Sequence, residues 1–79
     1  MASRTANENR FKQWSITENK GRLYCRKVIG KQEWYALYYK EVNANEETIR
    51  IWQEIYNSNN QLIEIHYKYP EDKGHQKIK

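Results

Sequence analysis

Between Phe11 and Tyr69 the chain repeats one pattern: a run rich in β-branched and aromatic side chains, then a short polar break. The runs are "FKQWSI", "RLYCRKVI", "EWYALYYKEV", "TIRIWQEIY" and "QLIEIHYKY"; the breaks hold Gly21, Gly30 with Lys31, "NANEE" and "NSNN". Apolar and polar residues alternating over such lengths mark half-buried strands, and Gly and Asn between them adopt turn geometry readily. Successive hairpins would lay these runs side by side, which restricts the chain to an all-β fold: a small antiparallel sheet or partly open barrel of four to five strands. One run is ambiguous. Ile49, Trp52 and Tyr56 also share helical spacing and Asn45 stands where a cap would, so an α+β fold with a helix at about 46–56 competes.

Residue types favour strands. Ile, Val, Thr, Tyr, Trp and Phe number 24, against three Leu, four Ala and one Met. Aliphatics are scarce for a chain of 79 residues, but three Trp and seven Tyr supply apolar area at roughly 150–250 Å² per ring. One thin-cored domain fits this length. The polar, aperiodic residues 1–10 read as a flexible N-terminal arm, 11–72 as the single β domain, and 73–79 as a basic C-terminal tail. Pro70 lacks a backbone donor, so the last strand should stop near Tyr69.

Cys25 has no second cysteine to pair with, and the two histidines lie nine positions apart among scattered carboxylates, a spacing that matches no metal site. Neither a metal nor a cofactor is indicated. No window approaches ~18 continuous apolar residues and the first ten contain no apolar core, so the expectation is a non-membrane, cytoplasmic protein.

Charge is uneven along the chain: residues 1–31 carry eight basic and two acidic groups, residues 32–72 three basic and eight acidic. If Gly30 and Lys31 form a two-residue hairpin tip, Leu23, Cys25 and Ile29 share a core face with Trp34, Ala36 and Tyr38, leaving Arg22, Tyr24, Arg26, Tyr35, Leu37 and Tyr39 outward. In the next hairpin Ile49, Ile51, Ile55, Ile63 and Ile65 should turn inward, with His66 outward beside Trp52.

Such an aromatic-basic face suits RNA or single-stranded DNA: rings stack on unpaired bases while cations neutralise phosphates. The candidate contacts are Arg22, Tyr24, Arg26, Lys27, Tyr35, Tyr39, Trp52 and Lys68, and the leading expectation is a non-catalytic binding module. A second reading takes the tail as a metal-independent, toxin-type ribonuclease in which His66 and His75 exchange protons with RNA and Lys73 stabilises the phosphorane, provided that "PEDKG" folds the tail back. A third uses the same face for a protein partner, as an interaction or inhibitor module. Exposed edge strands add homo-oligomerisation by strand pairing.

Overall fold

The computed structural model describes residues 4–78; residues 1–3 of the expected arm and residue 79 of the expected tail lie outside the described residues. Six strands follow the alternating runs: β1 (Gln13–Ile16), β2 (Arg22–Ile29), β3 (Tyr35–Val42), β4 (Thr48–Tyr56), β5 (Leu62–Tyr69) and β6 (His75–Lys77). They form one open sheet in sequence order, each neighbour antiparallel. The class is all-β. The strand count exceeds four to five because three tail residues pair with β5. β5 ends at Tyr69, before Pro70.

The helix alternative for 46–56 is overturned. Thr48–Tyr56 is a strand paired on one side with β3 and on the other with β5. Thr48, Ile49, Ile51 and Ile55 are β-branched and suit the pleat, and two neighbouring strands satisfy backbone groups that a lone amphipathic helix would have to satisfy itself.

A helix, α1 (Arg4–Arg10), occupies most of the stretch read as an arm. Seven residues are too few for independent helicity, so tertiary contacts hold it. Asn7 is buried, and just after the helix Phe11 joins Tyr24 and Val42 in the core, with Tyr38 packed against them. The Phe11 and Tyr24 rings lie 5.7 Å apart. Beneath α1 the buried Glu46 carboxylate accepts the Tyr24 hydroxyl and an Asn7 amide hydrogen bond, and pairs with Arg4 at 3.4 Å. Burial alone would raise the Glu46 carboxyl, but the donors Tyr24, Asn7 and Arg4 outweigh it and hold the group below the usual carboxylate range. Gly21 lets β2 begin close under the end of β3: a Cβ there would collide with the Val42 carbonyl oxygen.

Register, more than strand identity, departs from expectation. The β2–β3 connection spans five residues, Gly30 to Trp34, closed by Gly30 N–H to the Trp34 carbonyl at 2.7 Å and turned through left-handed Gln32 and Glu33. Ile29 therefore pairs with Tyr35, not Gln32. A shift of three positions is odd, so every β3 side chain exchanges faces relative to a two-residue tip. A second change arises in β5, where Tyr56 pairs with Leu62 but Ile55 with Glu64, leaving Ile63 as a bulge. His66 consequently stands opposite Gln53 instead of Trp52, and Ile65 opposite Glu54. No helix among the described residues is long and apolar enough to cross a membrane.

Candidate nucleic-acid interface

Antiparallel pairing in this register aligns one residue from each of five strands into a single row: Arg26, Tyr38, Gln53, His66 and His75. The row lies on the face that α1 partly covers. Gln53 donates to the Tyr38 hydroxyl at 3.1 Å, fixing the ring across β3 and β4. Two cations flank that ring, the Arg26 guanidinium carbon at 5.2 Å from its centroid and the Lys68 ammonium at 5.3 Å. Lys68 reaches it because a second register shift, between Ile51 and Trp52, leaves this residue bulged from β5.

Arg10, Phe11, Arg26, Tyr38, Tyr39, Ile51, Lys68 and Tyr69 surround a concavity of ≈ 330 Å³, which no carboxylate lines. Charge pairing distinguishes these arginines from the others. Arg4, Arg22 and Arg50 form ion pairs with Glu46, Glu8 and Glu41. Arg10 and Arg26 form none among the described residues, and both face this concavity. Burial, and after it the Arg10 charge, lowers the Lys40 ammonium below its ordinary range, against the opposing pull of Glu46.

The eight residues singled out in sequence are divided between two faces. Arg22, Tyr24, Arg26 and Lys68 lie on the helix side; Lys27, Tyr35, Tyr39 and Trp52 lie on the other, as cross-strand pairing and ring contacts show. Tyr24 is fully buried and belongs to the core. Arg22 is engaged at 2.6 Å by Glu8 and covers the Trp14 ring at 5.0 Å. Of the eight, Arg26, Lys68 and Tyr39 line the concavity. Arg10 and Tyr38 also line it and were not anticipated as contacts: Arg10 fell in the arm, and Tyr38 was assigned to the core face, where it does pack against Phe11, Tyr24 and Val42.

The opposite face carries two stacked cross-strand pairs, Tyr39 with Trp52 at 4.8 Å and Tyr35 with Tyr56 at 5.1 Å. Trp52 Nε1 and the Tyr56 hydroxyl both donate to Glu54, at 3.0 and 2.8 Å. The Tyr56 hydroxyl is pushed up to about 12 by that carboxylate and by burial, and Tyr39 to about 12 chiefly by burial. The Trp52 and Tyr56 donors on this face are thus satisfied within the chain.

At the end of the row the two histidine rings meet, centroids 4.3 Å apart. His66 Nε2 lies 2.8 Å from Asp72 Oδ1, and His75 Nδ1 lies 3.5 Å from Glu64 Oε1. The His66 contact and the Gly74 N–H hold the Asp72 carboxyl below its usual range. Lys73 is not part of this cluster; it lines a separate concavity with Arg50, Tyr67 and Glu71. Among the described residues no group of three or more His, Cys, Asp or Glu side chains could hold a metal ion. Comparison with protein-family models, curated proteins and solved structures finds no match to this chain.

Proposed function

We propose that the helix-side face binds single-stranded nucleic acid, RNA or single-stranded DNA, with its centre at Tyr38. One observation supports this reading: the two arginines without a carboxylate partner among the described residues line one concavity with Lys68, where Arg26 and Lys68 flank the Tyr38 ring and Arg10 lies over Phe11 at 5.8 Å. A cation paired to a carboxylate must lose that pair before it can serve a phosphate. Arg10 and Arg26 are spared that loss, and each phosphate they neutralise releases condensed counterion. The Tyr38 ring offers a platform on which a base contributes about 1–3 kcal/mol of stacking. The sheet is open and the concavity draws residues from several strands, as a flexible single strand requires.

The test is fluorescence anisotropy with labelled single-stranded RNA and DNA across a salt series. Arg26→Ala should weaken binding and flatten the plot of log K against log salt by about 0.7 per lost phosphate contact. Tyr38→Ala should weaken binding by about 5- to 150-fold, the equivalent of one lost stack, with the slope kept. Lys27→Ala, on the far face, should do neither. Oligonucleotides left unbound at low ionic strength would end this reading. Then the stacked, internally satisfied face bearing Tyr39, Trp52 and Tyr56 becomes the better candidate, as a surface for a protein partner or a second copy.

A further inference from the structure

We propose that the His66–His75 pair is an RNA-cleaving site at the end of the binding row, working by proton transfer without a metal ion. The inference rests on the nucleic-acid reading and extends it from affinity to chemistry. Its first support is position. His66 and His75 continue the cross-strand row of Arg26, Tyr38 and Gln53, and strands are about 4.8 Å apart, so Tyr38 and His66 are separated by roughly 10 Å. A strand held by its phosphate at Arg26 and Lys68 and by a base on Tyr38 would bring a neighbouring ribose and phosphate to the imidazoles.

The second support is that each imidazole has its own carboxylate. Asp72, itself held by the Gly74 N–H, accepts from His66 Nε2 and so places the lone pair of neutral His66 on Nδ1. Glu64 faces His75 Nδ1, which leaves Nε2 as the working nitrogen of a ring that is 49 % exposed. The third is an unmade bond. Among the described residues, the buried His66 Nδ1 has no hydrogen-bond partner. Buried polar atoms are paired in the great majority of cases, so this nitrogen is a place for a donor from outside the chain, water or ligand. A ribose 2′-hydroxyl is a donor of the right kind. For the hydroxyl to reach Nδ1 the side chains around it must shift, and His66 lies beside the three-residue edge strand β6, the shortest strand of the sheet.

The reaction is a transesterification. His66 Nδ1 takes the 2′-hydroxyl proton as the 2′-oxygen forms its bond to the adjacent phosphorus. The bond from phosphorus to the 5′-oxygen breaks, and protonated His75 gives its Nε2 proton to that leaving oxygen. The products are a 2′,3′-cyclic phosphate and a 5′-hydroxyl, and exchange with water restores both imidazoles. Lys68, on the same face and near enough to Asp72 to help lower it, supplies positive charge for the phosphorane. Lys73 has no part in this arrangement.

Full-length protein in excess over a labelled single-stranded RNA should yield fragments ending in 2′,3′-cyclic phosphate, equally with and without chelator. The matching DNA, and RNA carrying 2′-O-methyl groups, should bind and stay intact. His66→Ala and His75→Ala should each slow cleavage by at least about 100-fold while the affinity for the 2′-O-methyl RNA stays within about 2-fold, which also shows that the variants fold. Asp72→Asn should retain binding and distort the bell-shaped pH profile, since it disturbs the His66 tautomer. RNA that binds but stays intact would overturn the inference and leave the binding face standing, as would cleavage that survives both histidine variants or needs a metal ion. RNA that does not bind would overturn both.

Discussion

At the scale of single residues, the buried Glu46 decides how the core tolerates acid. Its carboxyl lies below the usual range in the folded chain because Tyr24, Asn7 and Arg4 donate to the ionised form. A folded-state value below the unfolded one means that the unfolded chain binds more protons in acid; the stabilisation is complete above the unfolded carboxyl range and is lost as pH falls through the folded one. Tyr24→Phe removes one donor from a buried acceptor and should cost about 1–3 kcal/mol near neutral pH. It should also make the acid limb of the stability profile shallower. Urea titrations of both proteins between neutral pH and pH 3 check both effects. Asn7 links this cluster to the opposite charge: Lys40 donates to its side-chain oxygen at 2.8 Å. That pairing explains why a polar residue in the seemingly featureless "TANENR" is among the least exposed in the chain.

Strands differ in how firmly their neighbours hold them. β3 and β4 pair on both sides along most of their length, whereas β1 and β6 are edges of four and three residues. Native-state hydrogen exchange should rank amides accordingly, slowest in β3 and β4 and fastest in β1 and β6. Protection of His75–Lys77 equal to that of β4 would contradict the ranking. Strand existence was legible because "RLYCRKVI" and "QLIEIHYKY" alternate on their own, and alternation is a local property. Facing was not legible. It depends on whether the Gly30–Trp34 connection holds an odd or even number of residues and on the bulge at Ile63, and neither leaves a mark on the alternation itself. The helix was hidden for the converse reason: its seven residues have little apolar periodicity and gain their order from Asn7 and Phe11 contacts. The candidate site was half legible. The histidines could be named as a pair that a folded-back tail would join, but Lys73 could not be told from Lys68 without the position of the Lys68 bulge.

For the molecule as a whole, the three buried hydrophobic side chains among the described residues, Phe11, Tyr24 and Val42, sit on one side of a sheet that exposes Trp14, Trp34, Ile49 and Tyr67. So small a core predicts a stability at or below the low end of the ordinary range, about 5 kcal/mol or less, with a urea slope near 1 kcal/mol/M. Chemical denaturation followed by tryptophan fluorescence measures both, and a stability above about 10 kcal/mol would show that something covers the far face in solution. Under the binding reading, an oligonucleotide at 100 times its Kd should add about 2.7 kcal/mol, seen as a rise in melting temperature. Strand pairing between copies has little to work with at the edges, since β1 and β6 are the shortest strands. The broad aromatic face is the larger surface: the molecule extends 37 × 24 × 21 Å, so a whole face approaches the roughly 800 Å² per partner of a standard interface.

The bulge at Ile63 behaves like a parity bit for the sheet. Were Ile63 paired in the ladder instead of bulged, His66 would fall opposite Trp52, on the side away from Arg26 and Tyr38, and every letter of "IEIHYKY" would be unchanged. The chemistry of this surface is therefore written less in which residues β5 contains than in how many residues precede them after the Asn57–Gln61 turn. A single-residue insertion or deletion there could exchange the two faces of the strand wholesale, so chains of similar composition could present histidines to opposite sides of the same sheet.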